Sequence, residues 1–152
     1  MVRRSKAGLE VFLIRPGGPA WANKNKIDWS IPKGEYDSSE DPLSAAQREF
    51  TEETGFTAAG PFLELGEITQ KGGKIVTAWG FEGDCDPGSL VSNTCVIEWP
   101  PHSGRSLEIP EVAEGRWFSL AEAHENIRKA QEPFLDRLSL PSSNISEPAG
   151  AG

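Results

Sequence analysis

Nothing in this 152-residue chain approaches the roughly 18 consecutive apolar residues that suggest a membrane-spanning helix. The first residues, Met-Val-Arg-Arg-Ser-Lys, lead into a strand-like stretch rather than the apolar core of a signal peptide, so the expected location is the cytoplasm. There are only two cysteines, Cys85 and Cys95, without CxxC spacing and without histidines placed to complete a zinc site. A reducing compartment then favours free thiols over a disulfide. Lys/Arg runs stop at the pair Arg3-Arg4 while the net charge is −8, a poor match for polymeric nucleic acid. Internal repeats are absent as well. What remains fits one domain over residues 1–140, large enough to bury a core unaided, with a small polar tail over 141–152 expected to be disordered.

The chain reads as alternating strands and helices. Ala7 to Arg15 favours a strand, closed by the breakers Pro16-Gly17-Gly18-Pro19. A loop bearing Trp21, Lys24 and Lys26 leads to a short Trp29-Ser-Ile stretch. Asp41-Pro42 supplies an N-cap and first helical residue, and the helix runs to Thr54 with Gly55 at its stop. Phe62 to Gln70 and Lys74 to Glu82 form a hairpin about Gly72-Gly73. A strand fits Thr94 to Trp99, and Arg116 to Ser119 fits a last one. Helical spacing follows over Leu120 to Gln131 and Pro133 to Leu138.

Chemistry concentrates in the first helix. Glu49, Glu52 and Glu53 stand at i, i+3 and i+4, so three carboxylates leave one face within a turn, beside an apolar stripe of Leu43, Ala46 and Phe50. Taken alone, an acidic helix face is ordinarily just a solvated one. Charges this close nevertheless repel, and a divalent cation relieves the repulsion. Oxygen donors without histidine or cysteine favour Mg²⁺ or Mn²⁺ over Zn²⁺. Such ions would also let an acidic protein bind a polyphosphate, because they invert the local field. Arg48, four residues before Glu52 and adjacent to Glu49, is placed to grip a carboxylate and fix its direction.

The wider pattern is Gly34, five residues, Glu40, seven residues, then Arg48-Glu-Phe-Thr-Glu-Glu-Thr-Gly-Phe56, which resembles the complete signature of the Nudix hydrolase family. Seven fixed identities at residue frequencies of roughly 6% coincide by accident with a probability on the order of 10⁻⁹ per window. The resemblance implies an α/β (α+β) fold, an αβα sandwich with a mixed sheet between helices, and an enzyme that cleaves phosphoanhydride bonds with Mg²⁺ or Mn²⁺. It implies Glu49, Glu52 and Glu53 as metal ligands, with the carbonyl of Gly34 as a further one. Arg48 then orients Glu49 or Glu52, and Glu40 braces the loop. The general base is Glu52, Glu53, or an auxiliary glutamate before the last strand, a position that Glu111 matches.

Selectivity is expected outside the motif. Lys33, in Ile-Pro-Lys-Gly-Glu, gives a lead-in similar to that of dinucleoside-polyphosphate and diphosphoinositol hydrolases, and is placed to hold a phosphate. Arg15, Lys24 and Lys26 add local positive charge that suits a multi-phosphate chain. Trp21 and Tyr36 are candidates to stack on a base, while Trp29, Trp79 and Trp117 read more simply as packing. The run Glu98-Trp-Pro-Pro with Ser103-Gly-Arg105 resembles a bacterial Nudix subgroup assigned as nucleoside-triphosphate pyrophosphohydrolases. The expected partner is thus a small nucleotide or polyphosphate, handled by a monomer or homodimer. The alternative is a non-catalytic sensor of a nucleotide metabolite on the same fold, although sensors usually lose motif glutamates and this chain keeps them all.

Overall fold

The computed structural model describes residues 1–22 and 29–138, with the side chains of Trp21 and Ala22 excluded. The expected tail over 141–152 and the residues Lys24 and Lys26 lie outside the described residues. The element order is β1 (Val2–Ser5), β2 (Gly8–Pro16), α1 (Pro19–Ala22), α2 (Pro42–Thr54), β3 (Phe62–Thr69), β4 (Ile75–Phe81), β5 (Thr94–Glu98), β6 (Ser106–Pro110), β7 (Val112–Ser119), α3 (Leu120–Asn126) and α4 (Glu132–Leu138).

β2 organises the molecule. Its run Val11-Phe12-Leu13-Ile14 is apolar at four successive positions, and all four are at most 6% exposed. A strand that alternates has one dry face, whereas a continuous apolar run belongs to a strand covered on both. Val11 and Leu13 pack with Trp29, Phe118, Ala123, Ile127 and Leu135, largely on the side of α3 and α4. Phe12 and Ile14 point the other way, where Val112, Phe56 and Trp117 surround them. Beside that layer, α2 buries Phe50 against Phe81 of β4, with ring centroids 5.2 Å apart. The expected α+β sandwich is therefore what the chain forms.

The sheet is antiparallel along its ladders, in the order β1-β2-β7, with β3-β4 and β5-β6 as hairpins. Parallel pairing enters at single bridges, Val2 with Glu82 and Trp29 with Ile127. The first of these ties the end of β4 to β1, and so joins the β3–β4 hairpin to the central strands.

Three departures from the sequence reading have causes in the pairing of each segment with a partner elsewhere in the chain. β1 is four residues with two arginines, too short and polar to show periodicity, and it is held by pairing with β2 and by Arg3 bonding to Glu10 and Asp84. β6 follows the Pro100-Pro101 break and exists through its register with β5, Ile97 facing Leu107 and Cys95 facing Ile109. The helix expected from Leu120 to Gln131 stops at Asn126. There Trp29 donates to the Asn126 carbonyl and accepts from the Arg128 N–H, and Ile127 adopts an extended backbone. Cys85 and Cys95 are free thiols. No helix among the described residues is long and apolar enough to cross a membrane.

Candidate active site

The acidic helix is well defined at both ends. The Asp41 carboxylate accepts from the Ser44 N–H at 3.0 Å, and Pro42 occupies the first turn, where a missing N–H costs nothing. At the other end Gly55 takes φ 78°, a left-handed conformation that side chains with a Cβ resist, and its N–H donates to the Thr51 carbonyl at 2.8 Å. Within the helix Ala45, Phe50, Glu53 and Thr54 are buried, and Leu43, Ala46 and Phe50 face one cavity as the expected apolar stripe.

Arg48 gathers three carboxylates. Its Nη1 donates to Glu49 Oε1 at 3.0 Å and to Glu52 Oε1 at 3.3 Å, while Nη2 donates to Glu40 Oε2 at 3.1 Å. The Glu40 contact ties the loop before the helix to its middle, and these bonds raise the guanidinium pKa further. Glu49 lies directly over Gly34. A Cβ at position 34 would fall inside the Glu49 carboxyl group, so glycine leaves that side chain free to take this position.

Glu53 is 9% exposed, and its Oε2 accepts from the Lys33 N–H at 3.0 Å. Burial, supplemented by the charges of Glu49 and Glu111, pushes its pKa up to about 7 against the pull of that N–H. Glu49 is also raised, first by burial and then by Glu52. Glu111 sits immediately before β7 and interacts electrostatically with both Glu49 and Glu53, which places it opposite the helix face.

Beside Glu49 opens a cavity of about 510 Å³, lined on its polar side by Lys33, Gly34, Tyr36, Glu49 and Lys74 and elsewhere mainly by apolar residues, including Trp79. Glu52, Glu53 and Glu111 do not line it, so cavity and acidic cluster meet at Glu49 and the Lys33-Gly34 backbone. Lys33 is half-buried, and burial together with the nearby charges of Arg128 and Lys74 lowers its pKa. Lys74, at the β3–β4 turn, pairs with Glu35 at 2.7 Å.

Of the residues singled out from sequence, Glu49, Glu52, Glu53, Arg48, Gly34, Lys33 and Glu111 come together, and Tyr36 stands exposed at the cavity. Arg15 instead pairs with Glu114 at 2.9 Å across β2 and β7 and does not line the cavity. Trp21 is on α1, and its side chain lies outside the described residues. Trp29 is core, edge-on to Phe118. Trp117 packs on Phe12 and donates its indole N–H to the Cys85 carbonyl. Two residues of the site escaped the sequence reading. Lys74 is a cation just after Gly72-Gly73, with only the turn to mark it. Asn93 follows Ser92 ahead of a strand, a pairing of turn-forming residues that hinted at capping.

Among the described residues, no three acidic, cysteine or histidine side chains are arranged as a closed metal-binding group. Arg48 holds Glu49 and Glu52 while Glu53 turns to the Lys33 N–H. The donor set nonetheless fits a hard divalent cation: it is all oxygen, it holds two carboxyl groups whose pKa values are raised by burial and then by neighbouring carboxylates, and it is open at Gly34, where a Cβ would overlap Glu49.

A three-layer α+β fold with this motif at its acidic helix defines the Nudix class, and comparison with known proteins agrees. Residues 1–138 match the NUDIX domain model. The fold is similar to an Ap4A hydrolase binary complex from C. elegans (TM-score 0.59, 19% identity, covering 91% of this chain and 90% of that one). It is also similar to the E. coli ORF135 protein (0.56, 18%, 98% and 90%) and to a mutT/nudix family protein from Listeria innocua (0.55, 23%, 90% and 85%). Comparison with curated proteins gives no match. The chain belongs to the Nudix family, and with its motif entire it is a pyrophosphohydrolase of that family.

Proposed function

We propose that the protein hydrolyses a phosphoanhydride bond in a small substrate built on a nucleoside diphosphate, such as a dinucleoside polyphosphate or a nucleoside triphosphate, with Mg²⁺ or Mn²⁺ as cofactor. The observation that carries this is the crowding of Glu49, Glu52 and Glu53 on one turn, with Glu49 seated against Gly34 and aimed by Arg48. A bound divalent ion supplies neutralisation of phosphate charge and acidification of a water. Glu49, Glu52 and Glu53, with the Gly34 carbonyl, are the groups to hold it.

The remaining work falls to the chain itself. Arg48 keeps Glu49 and Glu52 pointed to one side of the helix, so their charge is available without reorganisation. Water deprotonation needs a carboxylate near the attacked phosphorus. Glu111 is the base this reading favours, because it faces the helix from another element and has no guanidinium spending its charge. Lys33 and Lys74 stand at the cavity mouth as cations for a phosphate chain. Tyr36 and Trp79 offer aromatic surface to a base in the mostly apolar recess behind them. The polyphosphate-type lead-in at Lys33 and the fold likeness to an Ap4A hydrolase support the substrate class.

The test is incubation with dinucleoside polyphosphates and nucleoside triphosphates in ¹⁸O-labelled water, with Mg²⁺ or Mn²⁺. The label should enter a phosphate product, and its position identifies the phosphorus attacked. Tight nucleotide binding without any labelled product would favour the sensor.

A further inference from the structure

A helix leaves its last carbonyls without intrahelical donors, and whatever supplies those donors becomes part of the helix terminus. Here the supplier is the segment from Val91 to Asn93, between the 3₁₀ turn at Pro87–Ser89 and β5. The Val91 N–H donates to the Thr54 carbonyl at 3.0 Å, and the Asn93 N–H donates to the Glu52 carbonyl at 2.8 Å. In turn the Asn93 carbonyl accepts from the Glu111 N–H at 3.0 Å, and Ser92 Oγ accepts from the Val112 N–H at 3.0 Å. The main chain of Asn93 therefore stands between the acidic helix and Glu111.

Its side chain repeats the same link. With the amide nitrogen turned inward, Nδ2 donates to the Glu52 carbonyl at 3.2 Å and to Glu111 Oε2 at 3.1 Å. The opposite orientation would set the amide oxygen against two acceptors, so the hydrogen-bond pattern selects the first. An amide nitrogen has two hydrogens, and both are used. Glu111 lies near Glu49 and Glu53, charges of its own sign, and the Asn93 amide is a hydrogen-bond donor to its carboxylate.

We propose that Asn93 is a positioning residue: it ties Glu111 Oε2 to the end of the catalytic helix and leaves the other carboxylate oxygen directed at the reaction. This rests on the reading of Glu111 as a catalytic group.

A double-mutant cycle tests it, using full-length protein, the best-hydrolysed nucleotide of the panel and saturating Mg²⁺. Asn93→Ala and Asn93→Asp should each lower kcat about 10- to 100-fold with KM within about two-fold, as loss of an outer supporting partner does. Glu111→Gln should lower kcat at least as much, and adding Asn93→Ala to it should cost no more. In ¹⁵N-labelled protein the Asn93 side-chain amide signals should move on Glu111→Gln, a readout independent of turnover. Both substitutions keep the main-chain bonds of residue 93, and if one variant does not fold the other carries the kinetics. Losses that add, or wild-type kcat in the Asn93 variants, would overturn the positioning role. Wild-type kcat in Glu111→Gln would instead overturn the reading of Glu111, and the proposal with it.

Discussion

At the scale of single residues, Gly34 and Glu53 show how closely the loop and the acidic helix are fitted. Gly34 lets the Glu49 carboxyl rest against the loop, since a methyl group there would overlap it. Gly34→Ala should turn the flexible end of Glu49 off Arg48, changing thermal stability by less than about 1 kcal/mol while raising the Mg²⁺ concentration needed for half-maximal turnover. Calorimetry and a metal titration check the two effects together.

Glu53 sets a pH dependence whose sign differs with and without metal. Its folded pKa, about 7, lies above the ordinary value of 4.5 because burial penalises the charge. The folded state therefore holds this proton more tightly than the unfolded chain. The resulting stabilisation is fully present below the unfolded value near 4.5 and is lost as pH rises through about 7. In EDTA, the stability of wild type relative to Glu53→Gln should fall across that window by on the order of a few kcal/mol, a comparison that cancels the opposite contribution of the buried Met1 amino group, whose pKa burial lowers to about 5. Mg²⁺ should stabilise the protein more at pH 8 than at pH 5, because it competes with the same proton. A metal-free stability difference between wild type and Glu53→Gln that does not change with pH would refute this account of Glu53.

At the scale of elements, α2 is held by its two ends as much as by its apolar face. Asp41→Ala removes the cap on Ser44 N–H and should cost about 1 kcal/mol, measured by urea denaturation. This helix was legible in the sequence because its signals are local: a capping aspartate, a proline at the first turn and a terminal glycine. β2 was legible too, through its continuous apolar run. What stayed hidden depends on distant partners. β6 is specified by β5 across a hairpin, and α3 ends early because Trp29, nearly a hundred positions away, takes over the backbone bonds at Asn126. Lys74 and Asn93 reach the site the same way, carried there by a turn and by a helix terminus rather than marked by a motif.

At the scale of the whole molecule, net charge −8 and a polyphosphate substrate are reconciled by geography. Carboxylates cluster on α2 and at Glu111, where a divalent ion would reverse the local sign, while Lys33 and Lys74 stand at the neighbouring cavity. The doubly covered β2 contributes Val11 and Phe12 to the wall of that cavity. The measurement that bears most directly on this arrangement is turnover of dinucleoside polyphosphates and nucleoside triphosphates by wild type, Glu52→Gln and Glu53→Gln, each with Mg²⁺ and with EDTA. The account predicts metal-dependent hydrolysis by wild type and a loss of about 10²- to 10⁴-fold in each variant, with melting behaviour showing that both remain folded. Equal, EDTA-resistant turnover by all three proteins would contradict it.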